Sequence, residues 1–237
     1  MRTDGRNHDQ LRPIQFTTDF TEYAEGSVLV KMGNTQVICT ATIDEGVPKW
    51  MQGSGAGWLS AEYSMLPRST HTRIKRDKAT NSGRSQEISR LIGRSLRAAL
   101  DLRKLGERQI YIDCDVIQAD GGTRTAAING GFVALQLAIN FLLKKGILTE
   151  NPIEHQIAAI SVGIGYEKPL LDLNYDEDSN IETDMNFVLT NDDRFIEIQG
   201  TAEGQAFSSD QLAEMVNLAK LGCHQIFNIQ KEAFDSY

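Results

Sequence analysis

Two short segments carry the residue types that hold an oxyanion, Ser82-Gly83-Arg84-Ser85 and Asp120-Gly121-Gly122-Thr123-Arg124. Glycine lets the backbone approach a ligand, and a neighbouring arginine offers a planar fork of donors. Where such a segment opens a helix, the unpaired N–H groups of the first turn and the positive end of the helix dipole pull on the same anion. The second segment is neither a Walker loop nor a dinucleotide loop, because the G-x-x-x-x-G-K-[ST] spacing with its lysine and the G-x-G-x-x-G pattern are both missing. Taken alone, it is more often an ordinary tight turn with an exposed arginine. Arg84 adds a second hint: a cation at a helix start opposes the dipole, and a charge placed against stability points to use. Together the two starts suit a clamp on one phosphate.

Charge of both signs is concentrated elsewhere. Arg68, His71, Arg73, Lys75, Arg76 and Lys78 are opposed only by Asp77, in a stretch from Pro67 to Gly83 without apolar period. A polar loop of this kind suits a nucleic-acid backbone, although such runs are more often simply solvated. Its closeness to Arg84 favours the first reading. Asp172, Asp176, Glu177, Asp178, Glu182 and Asp184 crowd into a second segment. A calcium loop begun at Asp172 would need Gly at its sixth position and Glu at its twelfth, where Glu177 and Thr183 stand. The carboxylates suit a Mg²⁺ that keeps most of its waters, or a proton donor for a leaving oxygen, or equally a solubilising turn.

Alternation predicts strands at 14–20, 28–32 and 37–41, the last two joined by the hairpin pair Gly33-Asn34, and another at 58–65. Ile88, Leu91, Ile92, Leu96, Ala99, Leu102 and Leu105 recur at helical spacing up to Gly106. A strand at 110–116 then delivers the chain to the glycine turn, and 126–143 reads as a helix apolar around most of its circumference. Further strands are expected at 157–164, 170–173, 185–189 and 195–199, with a hairpin at 191–193, then a helix from about 209 to 221. Runs of consecutive strands interrupted by helices predict an α+β fold of two loosely similar β-meander/helix halves.

The chain has 237 residues and a formal net charge of −8. Residues 1–125 carry 18 Lys and Arg against 15 Asp and Glu, whereas residues 126–237 carry 6 against 17. A net acidic protein argues against a polyanionic partner, but here the cations are gathered in one half. Cys39, Cys114 and Cys223 are far apart and odd in number, which predicts reduced, buried thiols rather than a disulfide frame or zinc site. No unbroken apolar run approaches the roughly 18 residues of a membrane span, and the first residues have no signal-peptide core, so a cytoplasmic protein without membrane association is expected.

The motifs converge on a family. Asp4-Gly5-Arg6, Gln10-Leu11-Arg12-Pro13-Ile14, Gly33-Asn34-Thr35, Gly57-Trp58 through Pro67-Arg68, Gly83-Arg84-Ser85-Gln86-Glu87, Gln118-Ala119-Asp120-Gly121-Gly122-Thr123-Arg124, Leu171-Asp172-Leu173-Asn174-Tyr175, Asp184-Met185-Asn186 and Gln199-Gly200-Thr201-Ala202-Glu203 together resemble ribonuclease PH over nearly the whole chain. The resemblance implies a phosphate-dependent 3′-to-5′ exoribonuclease that trims RNA 3′ ends, tRNA precursors among them, and adds nucleotides in reverse. It implies phosphate binding by Arg84, Gly122, Thr123 and Arg124, and a catalytic, Mg²⁺-associated pair in Asp178 and Asp184; which of the two protonates the leaving 3′-oxygen stays open, with Asp184 as the working choice. RNA contacts are implied at Arg68, Arg73 and Arg76, and assembly as a hexameric ring built from dimers. Residues 1–237 are expected to form one domain with a basic loop at 67–83. The alternative is a non-catalytic RNA-binding subunit of an exosome-like ring, which tends to lose the phosphate-site arginines or the acidic pair. Ser85 where Thr is common, Ala126-Ala127-Ile128-Asn129-Gly130-Gly131 after the turn and an atypical 75–82 segment depart from the family pattern.

Overall fold

The computed structural model describes residues 2–76, 80, 82–165 and 168–235, so that Asp77 and Lys78 of the basic loop lie outside the described residues. Three antiparallel strands open the chain: β1 (Ile14–Thr18), β2 (Gly26–Met32) and β3 (Thr35–Glu45). Gly33 turns between the last two at φ +58°, the left-handed conformation that this hairpin composition favours. β4 (Trp58–Met65) does not extend the meander. The chain passes through α1 (Gly83–Arg97) and α2 (Leu102–Leu105) before β5 (Arg108–Gln118) inserts between β3 and β4, antiparallel to one and parallel to the other. The helical crossover is what allows the one parallel pairing in the sheet.

The single helix expected up to Gly106 is two. Beyond Arg97 the backbone of Leu100 bridges Ile153, and the Asp101 N–H donates to the Pro152 carbonyl at 2.8 Å. The Asp101 carboxylate then accepts from the Arg103 N–H and starts α2. Apolar spacing persists across the break because Leu102 and Leu105 face the same core, but the backbone partners are non-local.

α3 (Thr123–Lys144) lies between the two halves, packed on β2 and β3 and on β6 of the second sheet. By length and apolarity it would suffice to cross a membrane, yet most of that surface is enclosed by protein. A Cβ added to Gly26 would sit 1.9 Å from the Ala134 carbonyl oxygen, so β2 and α3 meet backbone to backbone. Buried Asn129 donates to the Ala159 carbonyl and accepts from the Ala159 N–H, both at 2.8 Å, which fastens α3 to the second sheet.

That sheet contains β6 (Ile157–Gly165), β7 (Lys168–Leu171), β8 (Thr183–Thr190) and β9 (Phe195–Ala202), all antiparallel in the order β7-β6-β8-β9. One-turn helix α4 (Tyr175–Asp178) interrupts the β7–β8 connection. α5 (Ser209–Asp235) packs on β6 and β7 and runs past the expected stop at Leu221, because Cys223, Ile226, Phe227 and Gln230 continue its buried stripe. All three cysteines are free and buried.

The N-terminal segment crosses to the second half. Arg2 forks onto Glu177 at 2.6 and 2.7 Å, and Arg12 forks onto fully buried Asp172 at 2.6 and 3.1 Å. Burial opposes the charge of Arg12, but Asp172, Asp120 and Glu177 more than compensate and hold its pKa above the ordinary arginine value.

Candidate active site

β5 ends at Gln118, and the turn that follows aims α3 at a cleft of about 650 Å³ between the halves. Gly121 and Gly122 sit at φ +75° and +66°, which only glycine adopts freely. A Cβ on Gly121 would lie 2.6–2.8 Å from the backbone of Leu173, Asn174 and Tyr175, so the turn is seated directly on the segment leading into α4. Gly122 occupies the N-cap of α3 without a side-chain cap, which leaves first-turn N–H groups open to an anion. Behind the turn, Arg12 donates to the Asp120 carbonyl at 2.6 Å, and the Thr35 hydroxyl donates to the Gly121 carbonyl at 2.6 Å.

Thr123 is nearly buried, and its hydroxyl accepts from the hydroxyl of Tyr63 in β4 at 2.8 Å. Burial pushes the Tyr63 phenol up, an effect that the Thr123 bond and the charges of Arg84 and Arg124 only reduce, so the phenol remains a donor. Arg124 bonds to the Gln199 amide oxygen and lies 3.6 Å from the Glu87 carboxylate, which itself accepts from Gln199 at 3.1 Å. Two distant elements, β9 and α1, thereby set the Arg124 guanidinium. Arg84 differs: it is exposed at the start of α1, whose cap is Ser82, and its side chain has no hydrogen-bond or ion-pair partner among the described residues.

Asp178 closes α4, a turn fixed by a reciprocal capping box between Asn174 and Glu177. Asp184 is the second residue of β8, paired with Gly163 and Thr201. Both carboxylates line the same cleft as Arg84, Thr123 and Arg124. Partial burial and repulsion from Asp184 raise the Asp178 carboxyl above the usual range, against the pull of Arg84, Arg124 and Arg12. A raised carboxyl beside a second one is a locus of excess negative charge that a hard cation relieves. No cluster of three or more Cys, His, Asp or Glu that could hold a metal exists among the described residues. Asp178 and Asp184, which line the cleft together, could hold a Mg²⁺ that keeps most of its waters.

The acidic segment is sorted by topology into different roles. Asp172 and Glu177 are buried anchors of arginines, Asp178 and Asp184 face the cleft, and Asp176 and Glu182 border a separate cavity. The alternative of a plain solubilising turn does not describe it. The basic loop is also divided: Thr70, His71, Thr72 and Ile74 line the cleft, whereas exposed Arg68, Arg73 and Arg76 stand outside its lining. Sequence reasoning gave no role to Tyr63, Glu87, Gln199 or Arg12. Their only local signal is membership of the quoted motifs.

A model described as 3′ exoribonuclease family, domain 1, matches residues 10–139, and its domain 2 counterpart matches residues 155–222. A protein named Ribonuclease PH from Bdellovibrio bacteriovorus is 59% identical over 227 residues, covering 96% of this chain and 93% of that protein. Among solved structures, rice (Oryza sativa) Rrp46 superposes with a TM-score of 0.79 at 20% identity, covering 97% of this chain and 98% of that one. The Archaeoglobus fulgidus exosome with RNA bound to its active site gives 0.80 at 22% identity, covering 96% and 91%. At these identities the two structures speak for the fold alone.

Proposed function

The chain belongs to the 3′ exoribonuclease family of ribonuclease PH, and on that premise we propose that its cleft shortens RNA from the 3′ end by phosphorolysis, with Arg84, Gly122, Thr123 and Arg124 holding phosphate and Asp178 and Asp184 serving the leaving group. The observation that carries the assignment is the meeting of both arginines, Thr123 and both aspartates in one cleft, although they come from four separate elements.

Orthophosphate sits against the two guanidinium groups, the Thr123 hydroxyl and the open start of α3. Their positive field offsets the repulsion that keeps one phosphate anion from attacking another. A phosphate oxygen attacks the terminal phosphorus in line, and the bond from that phosphorus to the 3′-oxygen of the preceding nucleotide breaks. The terminal nucleotide leaves as a 5′-diphosphate, and the shortened RNA takes a proton on its new 3′-oxygen. Asp184 is the candidate donor of that proton, directly or through a water. Mg²⁺ held by the two aspartates supplies charge stabilisation on the transferred group. A phosphoanhydride forms as a phosphodiester breaks, so the step runs readily in reverse, adding nucleotides from nucleoside diphosphates.

Arg68, Arg73 and Arg76 lie outside the cleft, where the body of a bound RNA would pass, which supports a role in holding tRNA rather than in chemistry. Assembly into a hexamer of three dimers is part of the same reading, and sizing in solution tests it. The non-catalytic alternative is disfavoured because neither arginine and neither aspartate is lost.

Incubation with a 3′-tailed RNA and Mg²⁺, with and without phosphate, tests the function. Nucleoside diphosphates should appear only with phosphate. Phosphate-independent release of monophosphates would overturn phosphorolysis in favour of hydrolysis.

A further inference from the structure

Two aromatic rings in the cleft have no part in the chemistry above. Tyr175 opens α4, three residues before Asp178, and is 47% exposed. His71 reaches it from the basic loop, with ring centroids 5.5 Å apart and planes tilted by 55°. Both line the same cleft as Arg84, Arg124, Asp178 and Asp184. Neither the Tyr175 hydroxyl nor the His71 ring has a hydrogen-bond partner among the described residues, so polar bonding does not account for their placement. Core packing does not account for it either, since both residues are exposed. A terminal phosphodiester held between the arginines and the aspartates carries a ribose and a base that must lie within the cleft. Its other walls there are mostly polar or charged, and Tyr175 offers an open π-face next to the reacting centre.

We propose that Tyr175, buttressed by His71, is a stacking subsite for the nucleobase of the 3′-terminal nucleotide, and for the base of the nucleoside diphosphate in the reverse direction. The inference rests on the phosphorolytic reading of the same cleft. Stacking on a phenol needs no particular hydrogen-bonding edge, because every base has a π-face. Such a subsite therefore holds A, C, G and U alike while setting the ribose and its phosphate against the bound orthophosphate. Inorganic phosphate itself gains nothing from the ring.

The test compares Tyr175→Ala, Tyr175→Phe and the wild type on RNAs that end in an ordinary or an abasic 3′ nucleotide, with direct calorimetric titration by ADP and by pyrophosphate. Tyr175→Ala should raise KM for ordinary RNA about tenfold and leave KM for inorganic phosphate unchanged. The abasic substrate should show no difference between variant and wild type, and Tyr175→Phe should recover the lost affinity. ADP should bind more weakly to Tyr175→Ala, with pyrophosphate unaffected. An equal penalty on abasic and ordinary ends, or no penalty on either, overturns the subsite. If the wild type does not turn over RNA at all, the functional reading fails, and the ADP and pyrophosphate titrations still decide the stacking.

Discussion

The phenolic hydroxyl of Tyr63 donates a 2.8 Å hydrogen bond to the hydroxyl of Thr123. With that oxygen engaged as an acceptor, the Thr123 hydrogen is left to point at whatever occupies the cleft. Tyr63→Phe should therefore weaken phosphate selectively, raising its KM about three- to tenfold, the worth of one hydrogen bond, with KM for RNA nearly unchanged. In a Thr123→Ala background the same substitution should have no further effect on phosphate. Additive losses would show that Tyr63 acts by another route.

Arg84 and Arg124 should separate when activity and stability are read together. Either alanine variant should lower phosphorolysis by about a hundredfold or more, as expected for a lost charge-stabilising donor, while RNA still binds in a filter or anisotropy assay. Arg124→Ala also leaves Glu87 without its cation and should lower Tm. Arg84→Ala removes a positive charge from a helix N-terminus and should hold or raise Tm, by about 1–2 °C.

The pH dependence of stability follows from Asp178. Its folded-state pKa lies above the unfolded value, so its ionisation opposes folding above that folded pKa, and the opposition fades as pH falls through it. Asp178→Asn should be inactive yet melt about 2 °C higher at pH 8, a modest gain because the site is open to solvent. The gain should shrink as pH falls and vanish below about pH 3, where the carboxyl is protonated in the unfolded chain as well. A gain that grows on acidification would reverse the assigned sign.

Arg12 and Asp172 form a buried fork behind the phosphate turn, with Asp172 fully inaccessible. Removing Arg12 strips buried Asp172 of its bidentate cation and leaves it only Arg6, 3.6 Å away, so Arg12→Ala should cost about 3 kcal/mol, seen as a fall in Tm of about 10 °C. Replacing both residues by apolar ones of similar volume should recover much of the Tm but not the phosphate KM, because the Asp120 carbonyl loses its donor.

The triple variant Arg68→Ala, Arg73→Ala, Arg76→Ala should flatten the dependence of RNA affinity on salt. Loss of three single-strand phosphate contacts reduces the slope of log K against log salt by about 2. KM for inorganic phosphate should stay as it was, since none of the three lines the cleft.

What the sequence discloses about this site depends on whether the signal is local. The Gly-Arg start of α1 and the Gly-Gly-Thr-Arg start of α3 are complete within a few residues, and their placement at two helix starts could be read from them. The acidic segment could not be sorted that way. Asp172 and Asp178 differ in role only because Arg12, 160 residues from Asp172, folds back onto one of them. The break between α1 and α2 has the same origin, a backbone pairing with residues 152–153 that no periodicity reports. Tyr63 reads as one more core position in an alternating strand until β4 is set parallel to β5 and its hydroxyl meets Thr123.

The N-terminal arginines also impose an order in time. Arg2 and Arg12 find their carboxylates 175 and 160 residues further along the chain. At ribosomal speed that is a wait on the order of ten to thirty seconds. Until Asp172 and Glu177 emerge, the first sheet can form, but the turn at Asp120-Gly121 lacks the guanidinium that braces its carbonyls. On the proposed reading the phosphate cradle would be a late product of synthesis, and a nascent chain would not handle nucleotides until its second half has left the ribosome.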